Sequence, residues 1–196
     1  PRSVAEAFAA YVERHRERLG PEWAAALLAF ERYARHDNAE RSIALYEQAL
    51  AQAPPCFYVE TCLGDLQLNE LGNVRRALHH FRASADLAPD LAMPRYSLGL
   101  VLHLLGVFEQ SREQYELAIE LAGDDGRDLE VAARASFNVA VHHINRGRSA
   151  EAEPLLRRAL ELMPDYPEAR RAAAALGLDG DPLAKLRSLL LDRMRR

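Results

Sequence analysis

The chain has 196 residues, 49% hydrophobic and 28% charged, which is the composition of one folded domain or a short stack of repeats and excludes a disordered chain. A formal net charge of -4 sets the surface against phosphate backbones, so nucleic acid is not an expected partner. The longest uncharged apolar run, Leu98 to Val107, contains His103 and glycines and falls short of the roughly 20 residues of a membrane helix.

In chain order, Ser3 to Leu19 reads as an amphipathic helix before Gly20-Pro21. It lacks the apolar core of a secretory signal, so a cytoplasmic location is expected. A worn unit follows, with Ser42, Tyr46, Ala49 and Pro54. Cys56 and Cys62 are too few for a disulfide framework. On one helix they would lie about 9 Å apart, beyond disulfide reach.

From Tyr58 the apolar residues recur at three and four, which predicts helices over Tyr58 to Leu71, Val74 to Leu87, Ala92 to Leu105 and Phe108 to Leu121. Gly72 and Gly106 separate the members of each pair and turn the chain. A third pair begins near Ala133 and turns at Gly147. Pro89, Gly123 and Pro164 end the second helices. Asp128 is the expected N-cap after the acidic loop around Asp124 and Asp125. That loop lacks the spacing and distal glutamate of a calcium site.

Pro167 to Leu176 is a further alanine-rich helix, and Asp181-Pro182 opens a last one with Leu183, Leu186, Leu190 and Met194 on one face. That helix carries five basic and two acidic residues.

The pairs repeat. Tyr46, Phe81, Tyr115 and Leu156 are separated by 35, 34 and 41 residues, and Gly72, Gly106 and Gly147 by 34 and 41. A seven-residue insertion over 122–132 accounts for the longer interval. Leu63-Gly64, Leu98-Gly99 and Val139-Ala140 each precede the turn glycine by seven or eight residues, in units that begin near Phe57, Ala92 and Ala133. Ala77 with Phe81, Ser111 with Tyr115 and Ala152 with Leu156 follow the turn, and Ser84, Ala118 and Ala159 come next. A mid-helix glycine costs about 1 kcal/mol against alanine, so Gly64 and Gly99 imply close backbone approach to the small residue of the second helix, with Phe81, Tyr115 and Leu156 filling the space beside it.

This pattern resembles the tetratricopeptide repeat, with its Leu-Gly and Ala-x3-Phe positions at a period of about 34. It departs at Ala140, Gly123 and the insertion. The pentatricopeptide RNA-binding repeat has a similar period, but the Leu-Gly positions and the acidic charge favour the tetratricopeptide type. The resemblance implies an all-α, right-handed solenoid of antiparallel hairpins. The expected division is a capping helix over 1–20, about four units over 21–166 with the first degenerate, a capping helix over 167–180, and a basic amphipathic helix over 181–196.

The resemblance further implies a concave groove lined by the first helices. By position it would show Tyr58, Cys62, Asp65 and Asn69, then Met93, Tyr96, Ser97, Leu100 and His103, then Arg134, Phe137, Asn138, Val141 and Asn145. Aromatic, amide and arginine side chains suit a peptide or helix. Chaperone-binding members hold a terminal carboxylate with lysine, asparagine and arginine. Here only Arg134 and Asn138 stand at comparable positions, and such a clamp is not expected.

None of the seven histidines has a partner three or four residues away, the zinc spacing on a helix. No metal, cofactor or catalytic residue is expected. The expectation is a non-catalytic interaction module with a protein or peptide partner. The alternatives are a docking domain of a larger enzyme and a scaffold that self-associates as a homo-oligomer through the C-terminal helix.

Overall fold

The computed structural model describes residues 39–52, 55–123 and 128–178, together with Arg14. The predicted helices over 3–19 and 181–196, and the early part of the worn unit, lie outside the described residues. Among them the chain forms eight helices and no strand: α1 Ala39–Gln52, α2 Phe57–Asn69, α3 Val74–Leu87, α4 Ala92–Leu104, α5 Phe108–Ala122, α6 Leu129–Ile144, α7 Ser149–Leu162 and α8 Pro167–Ala175. α2 pairs with α3, α4 with α5 and α6 with α7; each pair packs on the next, and α4 touches both α2 and α6.

The three predicted turn glycines all have positive φ, at 62°, 76° and 70° for Gly72, Gly106 and Gly147. α2 and α4 stop two and one residues before their predicted ends, because the turn draws off Leu71 and Leu105. Both side chains are consequently exposed. Asn73 caps α3, its side chain accepting from the Arg76 amide at 3.3 Å.

Every pair buries the same small positions: Ala77, Ala118, Ala152 and Ala159 are fully enclosed. The close approach at the mid-helix glycines is confirmed, with the expected partners. A Cβ on Gly99 would lie 2.8 Å from the Tyr115 ring and 3.2 Å from the Ser111 carbonyl oxygen; on Gly64 it would strike the Phe81 ring. The aromatic ring fills the space beside the glycine, and at Gly99 the backbone of the small residue Ser111 approaches as well.

The insertion lengthens α6 to 16 residues, against 13 for α4. Asp128 stands at the N-cap but makes no side-chain cap hydrogen bond. Val131 and Ala132 on the added turn pack against Ala92, Leu121 and Ala122, closing the junction between successive hairpins. Cys56 precedes α2 and Cys62 lies within it, and neither forms a disulfide. No described helix is long and apolar enough to cross a membrane.

Candidate functional site

Helical spacing places Met93, Tyr96, Leu100 and His103 on one stripe of α4, all half-buried. α6 contributes Arg134, Phe137, Asn138 and Val141, also half-buried, with Asn145 exposed at its C-cap. Tyr96 is where the two stripes meet. Its hydroxyl hydrogen-bonds to the side chains of Arg134 and Asn138, and its ring lies 5.7 Å from that of Tyr115. Burial raises the Tyr96 pKa while Arg134 and Asn138 pull against it. The phenol is neutral across the physiological range.

Arg134 is held on several sides. Its Nε donates to Glu130 Oε1 at 2.9 Å, and its guanidinium lies 5.9 Å from the centroid of the Tyr166 ring, within reach of a cation–π contact. Burial works against the charge, but Glu130, Tyr96 and Tyr166 together keep the Arg134 pKa above its ordinary value. Phe137 sets its ring 5.1 Å from Tyr166. Burial, with Tyr96 nearby, pushes the Tyr166 pKa up to about 12.

The structure therefore brings Tyr96, Arg134, Phe137 and Asn138 together and adds two residues that sequence reasoning missed. Glu130 sits on the inserted turn of α6. Tyr166 is the N-cap of α8, one residue before the position that opens each unit. The corresponding residues, Leu91 and Ala132, are enclosed core side chains. A tyrosine in that place was the available signal.

Other predicted residues fall apart from this cluster. Tyr58 is only 9% exposed and belongs to a core with Ile43, Tyr46, Phe57 and Leu63, so it offers no open surface. Asn69 is exposed at the end of α2, and Met93 receives a long contact from the Ser97 hydroxyl at 3.8 Å. His103 lies at the hairpin end, its ring 5.3 Å from Phe108. There Leu104, Leu105, Val107 and Phe108 form an exposed apolar ridge outside the groove.

The paired histidines have separate tasks. The rings of His79 and His80 lie at 68°, and those of His142 and His143 at 86°. His80 Nδ1 meets Glu60 Oε2 at 2.8 Å and ties α3 to α2. His142 accepts from Arg146, and both meet Glu109 across the junction to α5. Among the described residues no three His, Cys, Asp or Glu side chains converge as a metal-binding group.

Antiparallel hairpins stacked in register, with their first helices in contact, define a helical-repeat solenoid. The tetratricopeptide repeat family matches residues 90–165. Residues 90–165 thus carry the tetratricopeptide repeat, and the described helices have the all-α fold of that type, one of protein-interaction modules in general. The chain is similar in fold to the crystal structure of MamA, with 19% identity over 80% of this chain and 86% of that one and a TM-score of 0.60. It is also similar to YrrB, described as "a TPR protein with an unusual peptide-binding site", with 20% identity, 87% and 83% coverage and a TM-score of 0.61. The N-terminal domain of stress-induced protein-1 from C. elegans shares 18% identity over 62% of this chain and 94% of that domain, with a TM-score of 0.53. Comparison with curated protein sequences gives no match.

Proposed function

We propose that the protein is a non-catalytic adaptor that receives a peptide or helix of a partner protein along the face formed by α4, α6 and the start of α8. The observation that carries this reading is the linked cluster of Tyr96, Arg134, Asn138 and Tyr166, drawn from three successive first helices. Its side chains are held by one another before any ligand arrives, which lowers the ordering cost of binding. The half-buried rings of Tyr96 and Phe137 supply contact area over the buried Tyr166, Asn138 can pair with a peptide backbone, and the partly exposed guanidinium favours an acceptor on the ligand. Leu100 and Val141 continue the face with apolar surface, and Asn69 and Asn145 stand at its margins. The fold similarity to YrrB, whose description names a peptide-binding site, supports the same reading.

The test is capture of partners on immobilised protein, followed by affinity measurement on a captured one. Tyr96→Ala with Arg134→Ala should weaken binding by about 2 kcal/mol or more while circular dichroism stays helical. Unchanged affinity in a folded double variant would move the site elsewhere.

A further inference from the structure

α6 begins earlier in its repeat than α4 does. Ala92 opens α4 and Ala133 stands 41 residues further on, yet α6 opens at Leu129. The residues from Leu129 to Ala132 are therefore helix added ahead of the repeat. Val131 and Ala132 pack on the preceding hairpin, whereas Glu130 is exposed. One unit earlier its place is held by Pro89, which lies in a turn and not in a helix.

The added turn sets Glu130 four residues before Arg134, on the same side of α6. An anion is favoured in the first turn of a helix, and the Glu130 carboxylate accepts there from Arg134 Nε at 2.9 Å. The two side chains stay 67% and 43% exposed respectively, so the pair is open to an incoming ligand. Tyr96 engages a further part of the guanidinium and the Tyr166 ring lies beside it. Leu100, Phe137, Asn138 and Val141, the neighbouring side chains of the face, carry no charge. At the start of α8, Glu168 pairs with Arg171 at 3.5 Å. The charge of Arg134 is thus balanced within the face by Glu130.

A ligand carboxylate that reached the guanidinium would have to stand beside Glu130 or displace it. Standing beside it brings repulsion between like charges. Displacement exchanges one carboxylate for another and gains no ion pair. A backbone carbonyl or side-chain amide oxygen meets neither cost, because the guanidinium has five N–H donors and Glu130 can keep the one at Nε. Building on the groove reading above, we propose that Glu130 is a specificity-determining residue of the face. It selects a peptide segment that presents uncharged acceptors to Arg134 and rejects one that presents a carboxylate there.

The experiment selects peptides from a displayed random library on the full chain and keeps those whose binding falls in Tyr96→Ala with Arg134→Ala. Each residue of a kept peptide is then changed in turn to glutamine and to glutamate, and both forms are measured on the parent chain and on Glu130→Gln. At one peptide position the glutamate form should bind the parent about fivefold or more weakly than the glutamine form. That difference should narrow in high salt and vanish or reverse in Glu130→Gln, while the glutamine form keeps its affinity. Equal glutamate-to-glutamine ratios on the two chains at every position would overturn the proposal. So would equal weakening of both forms by Glu130→Gln, which marks a purely structural role. A library that yields no peptide dependent on Tyr96 and Arg134 would instead overturn the groove reading itself, and this inference with it.

Discussion

Gly99 and Tyr115 act as one packing unit, and the third hairpin shows what replaces it. There Ala140 stands in the place of the glycine and Leu156 in that of the ring, with both enclosed in one cluster. A branched aliphatic chain leaves room for the methyl group that an aromatic ring denies. Gly99→Ala should therefore destabilise the protein by about 1 to 3 kcal/mol through overlap with Tyr115, reduced by the roughly 1 kcal/mol that alanine gains in a helix. In a Tyr115→Leu background the same substitution should become neutral or stabilising. Denaturant unfolding of the four variants checks this, and additive effects would sink it. Polar groups complete the small contact positions where alanine is absent. Ser111 Oγ donates to Gly99 O at 2.8 Å, and the Thr61 and Ser84 hydroxyls, 2.7 Å apart, both reach Phe57 O. Ser84→Val should cost about 1 to 3 kcal/mol, since it removes that bond and overfills the contact. A melting temperature equal to the parent's would contradict it.

At the scale of the element, α6 is the helix in which the repeat departs most from its period. Its added turn seals the junction with α4 and α5 through Val131 and Ala132, and it supplies Glu130 to Arg134. The far end of α6 is tied to α5 differently. His142 is nearly enclosed there, and burial first, then Arg146, lowers its pKa, against the opposing pull of Glu109. The folded chain thus resists protonating His142 more than the unfolded chain does. Its contribution to stability is complete above the unfolded value of about 6.5 and is lost as the pH falls below it. Unfolding midpoints should decline between about pH 7 and 5, and His142→Gln should flatten that decline. An identical pH profile in the variant would show that another group controls the acid limb.

The molecule is stabilised by neighbours in sequence, since among the described residues the main contacts between hairpins join each one to the next. Damage should therefore remain local to a degree that a globular core would not allow. Leu156→Ala, in the last described pair, should remove about 2 to 5 kcal/mol from that pair. Hydrogen exchange should quicken in α6, α7 and α8 well before it does in α2 and α3. Uniform acceleration throughout would instead mean a single cooperative unit. The proposed binding face is likewise a property of several hairpins, because its residues come from α4, α6 and α8 and none of these helices presents it alone.

The helical hairpins, their turns at Gly72, Gly106 and Gly147, and the fold type were legible in the sequence, because periodic apolar spacing, positive-φ glycines and small-residue contacts are local requirements repeated in every copy. The family resemblance, carried over by position, put Tyr96, Arg134, Phe137 and Asn138 on facing stripes, and the structure brings these four side chains together. Packing between copies decided the rest. Tyr58 occupies the same register position as Met93 and Arg134 but is buried with Tyr46 and Leu63, because α1 packs beside it. Tyr166 joins the cluster from a position that is core here as in the other units, and Glu130 comes from residues that interrupt the period. A repeat pattern states which side chains share a face of one helix. Which of them remain open, and which meet across helices, depends on the neighbours stacked against that face, and only the tertiary structure supplies those neighbours.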